Sequence, residues 1–386
     1  MIKTLVHKYL PAMVTLRQSL HQIPELKYEE FKTSTLVSEA LKSYGCEVRT
    51  GVAKTGIVAM IDSGKPGPTV ALRADMDALP IHEETGVVYQ SIHPNVMHAC
   101  GHDGHTATLL LVAQVLQEMK AHFRGKVKLI FQPAEEGGKG SLAMIKDGVL
   151  ENPKVDAIFG YHNWPGLALG HVGTRVGTIL VATGRIEITI QGRVAHTSMP
   201  QNAINPVLIG AKYITALETL CQEYSRQGAI LNITRFECGE MKSGMTDTVK
   251  ITGVYYVENE TILAQLKADI EHQCQAIIIA GGATFAIDYF AFHTPTINTA
   301  AEAKLVLKTA QECLSDAEVI EFAKPQIAAE DFSEYLRLVP GCFFLVGAGE
   351  NSPPVHTSKF DFPDSIMKNA AIVMCQTALN YLNTKP

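Results

Sequence analysis

The segment HACGHDGH covers positions 98–105, and four of its last six residues are potential metal ligands. Cys100 and His102 are two positions apart, so in an extended segment both side chains would face one side and could reach one ion. A thiolate and an imidazole are good ligands for Zn²⁺ or another borderline transition metal, and Asp103 and His105 follow directly. The alternative is a polar loop that opens a helix and leaves its histidines in solvent. The density of ligands favours a metal site.

Two adjacent carboxylates, Glu135 and Glu136, follow the strand-like run VKLIFQP. Adjacent residues of an extended segment point in different directions, so one carboxylate could bind a metal while the other acts as a general base. A pair of glutamates is more often a solvated surface, and the neighbouring GGKGS lacks the spacing of a phosphate-binding loop. The position directly after an apolar strand favours a catalytic role.

Further donors occur in RADMDALP (73–80), FGYHN (159–163) and PPVHTS (353–358). They are Asp75, Asp77, His162 and His356. Each is as readily explained alone as a turn, surface or structural residue. Four of the five chemistry-bearing segments follow a predicted strand, and ligands collect at the carboxyl edge of open α/β sheets. Together the segments supply donors for two ions and leave Glu135 as a base.

The elements that position these segments alternate between strands and helices, which predicts an α/β fold with a mostly parallel sheet. The predicted strands are 56–61, 69–73, 127–131, 157–160 and 343–346; the predicted helices lie within 12–43 and at 106–119, 141–146, 301 onward and 365–382. Between them the pattern changes to a β-α-β-β-α-β order, typical of a ferredoxin-like α+β domain, with strands at 185–191, 229–236, 248–255 and 284–289 and helices at 206–224 and 260–278. We therefore expect one domain, residues 1–183 plus 299–386, interrupted by a second at 184–298.

Composition excludes several classes of protein. The 386 residues carry a net charge of −6 without runs of one sign, which argues against a nucleic-acid or anionic-membrane partner. No apolar stretch approaches the length of a membrane span, and the N-terminus makes a poor signal-peptide core. Eight cysteines in a chain of this length do not indicate a disulfide scaffold. We expect a cytoplasmic protein.

The ordered motifs resemble those of the dinuclear-metal amidohydrolase family of aminoacylases and carboxypeptidase G-type enzymes. The match looks closest to its branch of hippurate hydrolases, indole-acetyl-amino-acid hydrolases and N-acetyldiaminopimelate deacetylases. It extends over nearly the whole chain, through LRQSLHQIPELKYEE, RADMDALP, MHACGHDGHTA, FQPAEEGG, GYHN, GRVAHTSMP, AAEDFSEY and PPVHTSKFDF. The resemblance implies a metallopeptidase-like catalytic domain interrupted by a lid and dimerisation domain. It also implies two divalent ions per subunit, Zn²⁺ or Mn²⁺, with Co²⁺ and Ni²⁺ also suited to the ligands.

Site residues follow from the same resemblance. It implies metal ligation by Cys100, His102, Glu136, His162 and His356. Glu135 matches the general acid/base, and Asp77 matches the carboxylate that orients a ligating histidine. His196 matches a histidine that reaches the partner subunit's active site in a homodimer and stabilises the oxyanion.

The implied reaction is hydrolysis of the amide bond of N-acetyl or aryl-acyl amino acids. The lid departs from its relatives, because Ser243 and Tyr256 stand where an Asn and an Arg usually hold the substrate's carboxylate. Gln201 replaces a common His, and Asn205 replaces an Asp. We expect Asn205 and Tyr256 to contact substrate in altered ways. A dipeptidase or aminopeptidase-like enzyme, or a binder of an acylated ligand without turnover, are the alternatives.

Overall fold

The computed structural model describes residues 1–241, 244–315 and 318–384, and it divides into two compact units. The first unit comprises Met1–Ile179, Ile297–Lys324 and the chain from Asp331 onward. The second comprises Leu180–Thr296 and Pro325–Glu330. Each unit has its own cluster of buried apolar side chains.

The first unit is built on an eight-stranded sheet in the order β1-β2-β4-β3-β5-β14-β6-β13. Its central neighbours β4, β3, β5 and β14 are parallel, and antiparallel pairs flank them on both sides. Every residue of β3 is buried because helices cover both faces at the centre of the sheet. The strands are β1 (Glu47–Val52), β2 (Gly56–Asp62), β3 (Thr69–Asp75), β4 (Lys126–Gln132), β5 (Ala157–Pro165), β6 (Val172–Thr174), β13 (Val319–Glu321) and β14 (Gly341–Gly349).

Helices of the first unit pack on this sheet and on one another. They are α1 (Ile2–Gln22), α2 (Phe31–Ser43), α3 (His102–Glu118), α4 (Glu135–Gly138), α5 (Gly140–Lys146), α8 (Ala300–Cys313), α9 (Ser333–Leu336) and α10 (Ile366–Thr384). Helix α3 is buried along its first twelve residues and is flanked by α1 and α10. The single helical region predicted within 12–43 is two helices, and α1 starts earlier than predicted and contains Pro11.

The second unit has a four-stranded antiparallel sheet in the order β11-β8-β10-β9. The elements are β8 (Ala182–Gln191), α6 (Pro206–Ser225), β9 (Ala229–Cys238), β10 (Thr248–Val257), α7 (Glu260–Cys274) and β11 (Thr284–His293). Alternate residues of β8 and β10 are buried, as expected where helices cover one face only. The predicted β-α-β-β-α-β order is confirmed, and with it the fold class. Two short strands, β7 (Gly177–Leu180) and β12 (Thr296–Asn298), lie where the chain passes between units.

Helices long and apolar enough to traverse a lipid bilayer are absent from the described residues.

Candidate metal centre

The potential ligands converge at the carboxyl ends of β3, β4 and β5 and at the first turn of α3. Gly101 permits this turn, because it has a φ of +89° and a side chain there would overlap Asn163. The segment of Cys100 and His102 is therefore a left-handed turn into a helix, whereas the sequence predicted an extended segment. The turn nonetheless places both side chains at one site.

Cys100 lies at the centre of the ligand cluster. Its Sγ is 3.4 Å from His162 Nε2 and 3.3 Å from His356 Nε2, and His356 Nε2 is 2.8 Å from Glu136 Oε1. The ligand atoms of Cys100, His102 and His162 form one group within 4.8 Å, and those of Cys100, Glu136 and His356 form another. Because the two groups share Cys100, they suit a pair of neighbouring ions.

His162 and His356 are each held by a hydrogen bond that involves main-chain atoms. His162 lies inside β5, three residues before its end, and its Nδ1 is 2.6 Å from the carbonyl oxygen of Asn163. His356 has a φ of +63°, and its N–H donates to the carbonyl of Ala99 at 2.8 Å. A non-glycine residue at positive φ costs free energy and marks a position that its surroundings hold in place.

Asp77 organises the pair of glutamates. Its two carboxylate oxygens accept the main-chain N–H groups of Glu135, at 3.0 Å, and of Glu136, at 2.9 Å. Asp77 Oδ1 also lies 3.3 Å from His102 Nδ1. The glutamates occupy a tight turn with non-helical dihedral angles at Glu136, not the extended segment expected from the sequence.

The carboxylates of Glu135 and Glu136 have different partners. Glu136 reaches His356, whereas Glu135 Oε1 accepts the main-chain N–H of Asp331 at 3.3 Å. Glu135 is buried, and one of its carboxylate oxygens lies within 4.8 Å of ligand atoms of His102 and Glu136. Both glutamates therefore lie close to potential ligands, and they differ in that Glu136 contacts His356 directly.

The electrostatics of this site call for a cation. Burial disfavours charge on His102, but the carboxylates of Asp75 and Asp77 raise the pKa of its imidazole to about 10. Burial and the nearby Glu136 and Glu135 carboxylates raise the pKa of the Cys100 thiol well above its ordinary value. His102 Nδ1 faces Asp77, whereas its Nε2 is buried without a hydrogen-bond partner among the described residues. A divalent cation would neutralise the carboxylates, take up an unpartnered nitrogen and favour the thiolate, so the residues fit a metal site.

A buried network behind the ligands was not predicted. Asp75 accepts from His105 Nδ1 at 2.6 Å and from Arg73 Nη1 at 2.6 Å, while His105 Nε2 contacts Asn163. Arg73 continues to Asp331, whose Oδ1 is 3.1 Å from its Nη2. All five residues belong to the sequence motifs described above, but only the fold shows that they connect.

Three predicted site residues belong to the second unit. His196 is exposed, and its Nδ1 is 2.7 Å from Ser198 Oγ. Asn205 caps α6 by accepting the N–H of Val207 at 3.0 Å. Tyr256 is a half-buried residue of β10, paired with Thr183 and Ile230. The lid substitution at Ser243 lies outside the described residues.

A carboxylate left beside a cluster of metal ligands at the carboxyl edge of a parallel sheet is the arrangement of a metal-dependent hydrolase, and the protein belongs to this class. More specifically, the chain belongs to Peptidase family M20/M25/M40, whose family model matches residues 71–380. The resemblance drawn from its motifs is thereby confirmed, and with it a hydrolase that acts on amide bonds.

Relatives of this chain include amide hydrolases. The N-acetyl-L-cysteine deacetylase of Bacillus subtilis (strain 168) is 35% identical over 374 residues, which are 96% of this chain and 88% of the relative. IAA-amino acid hydrolase ILR1-like 4 of Arabidopsis thaliana is 36% identical over 380 residues, 96% of this chain and 86% of the relative.

A solved structure is similar to the whole chain. It is the Bacillus subtilis YXEP protein, described as a dinuclear metal binding peptidase from the M20 family. The match has a TM-score of 0.87 and 28% sequence identity, and it covers 98% of this chain and 99% of that one. A dinuclear site in that protein agrees with the two ligand groups that share Cys100.

Proposed function

We propose that the protein hydrolyses the amide bond of N-acyl amino acids, releasing a carboxylic acid and a free amino acid. The observation that carries the proposal is the different partners of Glu135 and Glu136, whose main chains share Asp77: Glu136 contacts His356, whereas Glu135 accepts from Asp331. In the proposal, this difference leaves Glu136 as a ligand and Glu135 as a base, as a hydrolytic site needs. The deacetylase and the IAA-amino acid hydrolase among the relatives support this substrate class.

Two divalent ions would be held by the predicted ligands, Cys100, His102, Glu136, His162 and His356. When bound, such ions lower the pKa of a coordinated water and polarise a carbonyl oxygen. The thiolate favours Zn²⁺, and the nitrogen and oxygen donors also suit Mn²⁺, Co²⁺ and Ni²⁺.

Glu135 is the proposed proton carrier. Its carboxylate takes a proton from the attacking water as the oxygen adds to the amide carbonyl, and it then delivers that proton to the leaving nitrogen. The N–H of Asp331 donates to one of its oxygens and so helps to fix the direction of the carboxylate. Asp77 holds both glutamates and His102 in position through its three contacts.

The second unit would serve as lid and dimerisation domain. In this proposal His196 of one subunit stabilises the oxyanion in the site of the partner, and Asn205 and Tyr256 contact the substrate. A tyrosine hydroxyl donates one hydrogen bond, whereas an arginine would clamp a carboxylate with two. Recognition of the free carboxylate is thus the step in which this chain is expected to differ from its relatives.

Amine release from matched substrates tests the proposal. Metal-reconstituted protein is given N-acetyl and N-benzoyl amino acids, each as the free acid and as the carboxamide. Faster hydrolysis of the free acids supports an N-acyl-amino-acid hydrolase. Equal or faster hydrolysis of the carboxamides would contradict that substrate class while leaving the amide hydrolysis in place. Binding without turnover by metal-loaded protein would contradict the proposed function altogether.

A further inference from the structure

The segment AAEDFSEY contributes Asp331, a buried carboxylate that the proposed reaction does not use directly. Its main-chain N–H donates to Glu135 Oε1 at 3.3 Å. Asp331 is 3% exposed; its carboxylate accepts from Arg73, and one of its oxygens lies within 4.8 Å of an oxygen of Glu135. Asp331 therefore contacts the proposed base through its main chain, while buried donors hold its side chain.

The donors that reach the Asp331 carboxylate include Arg73, Gln132 and Ser141. Oδ1 accepts from Arg73 Nη2 at 3.1 Å and from Gln132 Nε2 at 2.8 Å, and Oδ2 accepts from the N–H of Ser141 at 3.0 Å. An ionised carboxylate satisfies three donors at once because it only accepts. An amide in the same place would turn an NH₂ group toward one of these donors, so it could not keep all three contacts.

Arg73 joins this carboxylate to the other half of the site. Its Nη1 donates to Asp75 at 2.6 Å and its Nε to Gln132 at 2.9 Å, and its side chain is almost wholly buried. Asp75 in turn holds His105 at 2.6 Å. One buried guanidinium thus ties the strand that carries Asp75 to the segment whose main chain holds Glu135.

We infer that Asp331 is a positioning residue for Glu135: its carboxylate, clamped by Arg73, Gln132 and Ser141, fixes the main-chain N–H that orients the base. The inference rests on the proposed role of Glu135 as proton carrier. A base that loses this contact can turn away from the water, and a misplacement of about 1 Å costs on the order of 100-fold in rate.

A double-mutant cycle tests the inference with the metal-loaded protein. Asp331→Asn in the native background should lower kcat by about 10- to 100-fold with little change in KM. In the Glu135→Ala background the same substitution should cost less than about 2-fold, because there is no base left to position. Equal losses in both backgrounds would mean a general structural role and would overturn the inference, as would an unchanged kcat in the native background.

Two further variants serve as controls. They distinguish a specific loss of kcat from one caused by removing any buried charge or by misfolding. Asp364→Asn alters another carboxylate beside a buried arginine, 3.5 Å from Arg17, and should leave kcat unchanged. If Asp331→Asn does not fold, Gln132→Met removes one of the three donors and enters the same cycle. Full activity in Glu135→Ala alone would refute the proposed function itself, so that failure is distinguishable from failure of the positioning role.

A crystal structure of Asp331→Asn supplies a readout that does not depend on turnover. The Glu135 carboxylate should change its rotamer, whereas Cys100 and His102 should keep their positions. A Glu135 carboxylate still bonded to the N–H of residue 331 would overturn the inference.

Discussion

Arg17 Nε lies 2.8 Å from Asp103 Oδ2, and neither side chain is exposed to solvent. The pair joins α1 to the first turn of α3, directly beside the proposed ligand His102. Arg17 Nη2 also contacts Asp361 at 2.5 Å, five residues after His356. One buried cation therefore ties the N-terminal helix to two segments that carry proposed metal ligands.

Replacing this arginine should destabilise the first unit. Arg17→Met leaves Asp103 with one fewer cationic partner in the interior, and breaking a buried ion pair from one side costs about 3–5 kcal/mol. Denaturant unfolding of the metal-loaded protein measures the loss. Lys8→Met on the same helix is the matched control, because Lys8 pairs with Glu118 at the surface, where the cost should stay below about 1 kcal/mol. Equal costs for the two variants would contradict the structural importance of the buried pair.

Stability should also depend on the protonation of His21, the neighbour of Arg17 one turn along α1. Burial and Arg17 oppose its charge, but Asp103 at 2.7 Å and Glu83 at 3.2 Å raise its pKa from 6.5 to about 9. Because the pKa of His21 is higher in the folded protein, its protonation stabilises the folded state. This contribution is fully present below pH 6.5 and is lost as the pH rises through 9.

The unfolding free energies of native protein and His21→Gln should therefore converge by on the order of 3 kcal/mol between pH 6.5 and 9, since one pKa unit corresponds to about 1.4 kcal/mol. Unfolding titrations at a series of pH values measure the difference. A constant difference for His21→Gln would refute the charged form in the folded protein.

The proposed base gives the sharpest catalytic prediction. Glu135→Ala should retain both metal ions and lose at least about 10³-fold in kcat, since general acid–base catalysis supplies roughly 10²–10⁴. Metal analysis and amine release are measured on the same preparation. Glu29→Ala, a surface glutamate of the same unit, serves as the control. Full activity in Glu135→Ala would remove the residue from the reaction.

The elements around the site could be predicted because each carries a strong local pattern. Strand β3 is a short apolar run followed by two aspartates, and α3 is apolar on every side because the sheet and two helices surround it. The short strands β1, β6 and β13 were missed, since three to six residues are too few to show a clear periodicity. The start of α1 was predicted too late. A proline inside a helix is disfavoured, but α1 begins before Pro11 and contains it.

Ligand types could likewise be predicted, whereas their supporting contacts could not. Cys100 and His102 stand out because their residue types and spacing are themselves chemical evidence. Arg73 and Asp331 are 258 positions apart, and nothing in either local sequence indicates that they meet. The left-handed turn at Gly101 was also missed, since the spacing of two ligands fits an extended segment equally well. Long-range polar contacts of this kind become visible only with the fold.

Loss of the central thiol should act on metal binding before it acts on the chemistry. Cys100 contacts both His162 and His356, so Cys100→Ala removes a donor from both ligand groups. Loss of a residue that only hydrogen-bonds to a metal ligand costs about 10–100-fold in metal affinity. Loss of a ligand itself should therefore cost at least about 100-fold. Competition with a chromophoric chelator measures the affinity. Cys375→Ala, a buried cysteine in α10, should retain native affinity. Unchanged metal content in Cys100→Ala would exclude this cysteine from the ligand set.

His196 is the proposed contribution of the second unit to catalysis, and its test separates action within a subunit from action across a dimer. His196→Ala should keep its metal and lose about 10²–10³-fold in kcat, the usual cost of one oxyanion donor. If His196 acts in the partner's site, a mixed dimer of His196→Ala and Glu135→Ala subunits contains one complete site. Random exchange in a symmetric dimer should then restore about a quarter of native activity. His196→Ala mixed with itself is the control. No recovery from subunits shown to exchange would contradict action across the dimer, and full activity in His196→Ala alone would contradict any role in the reaction.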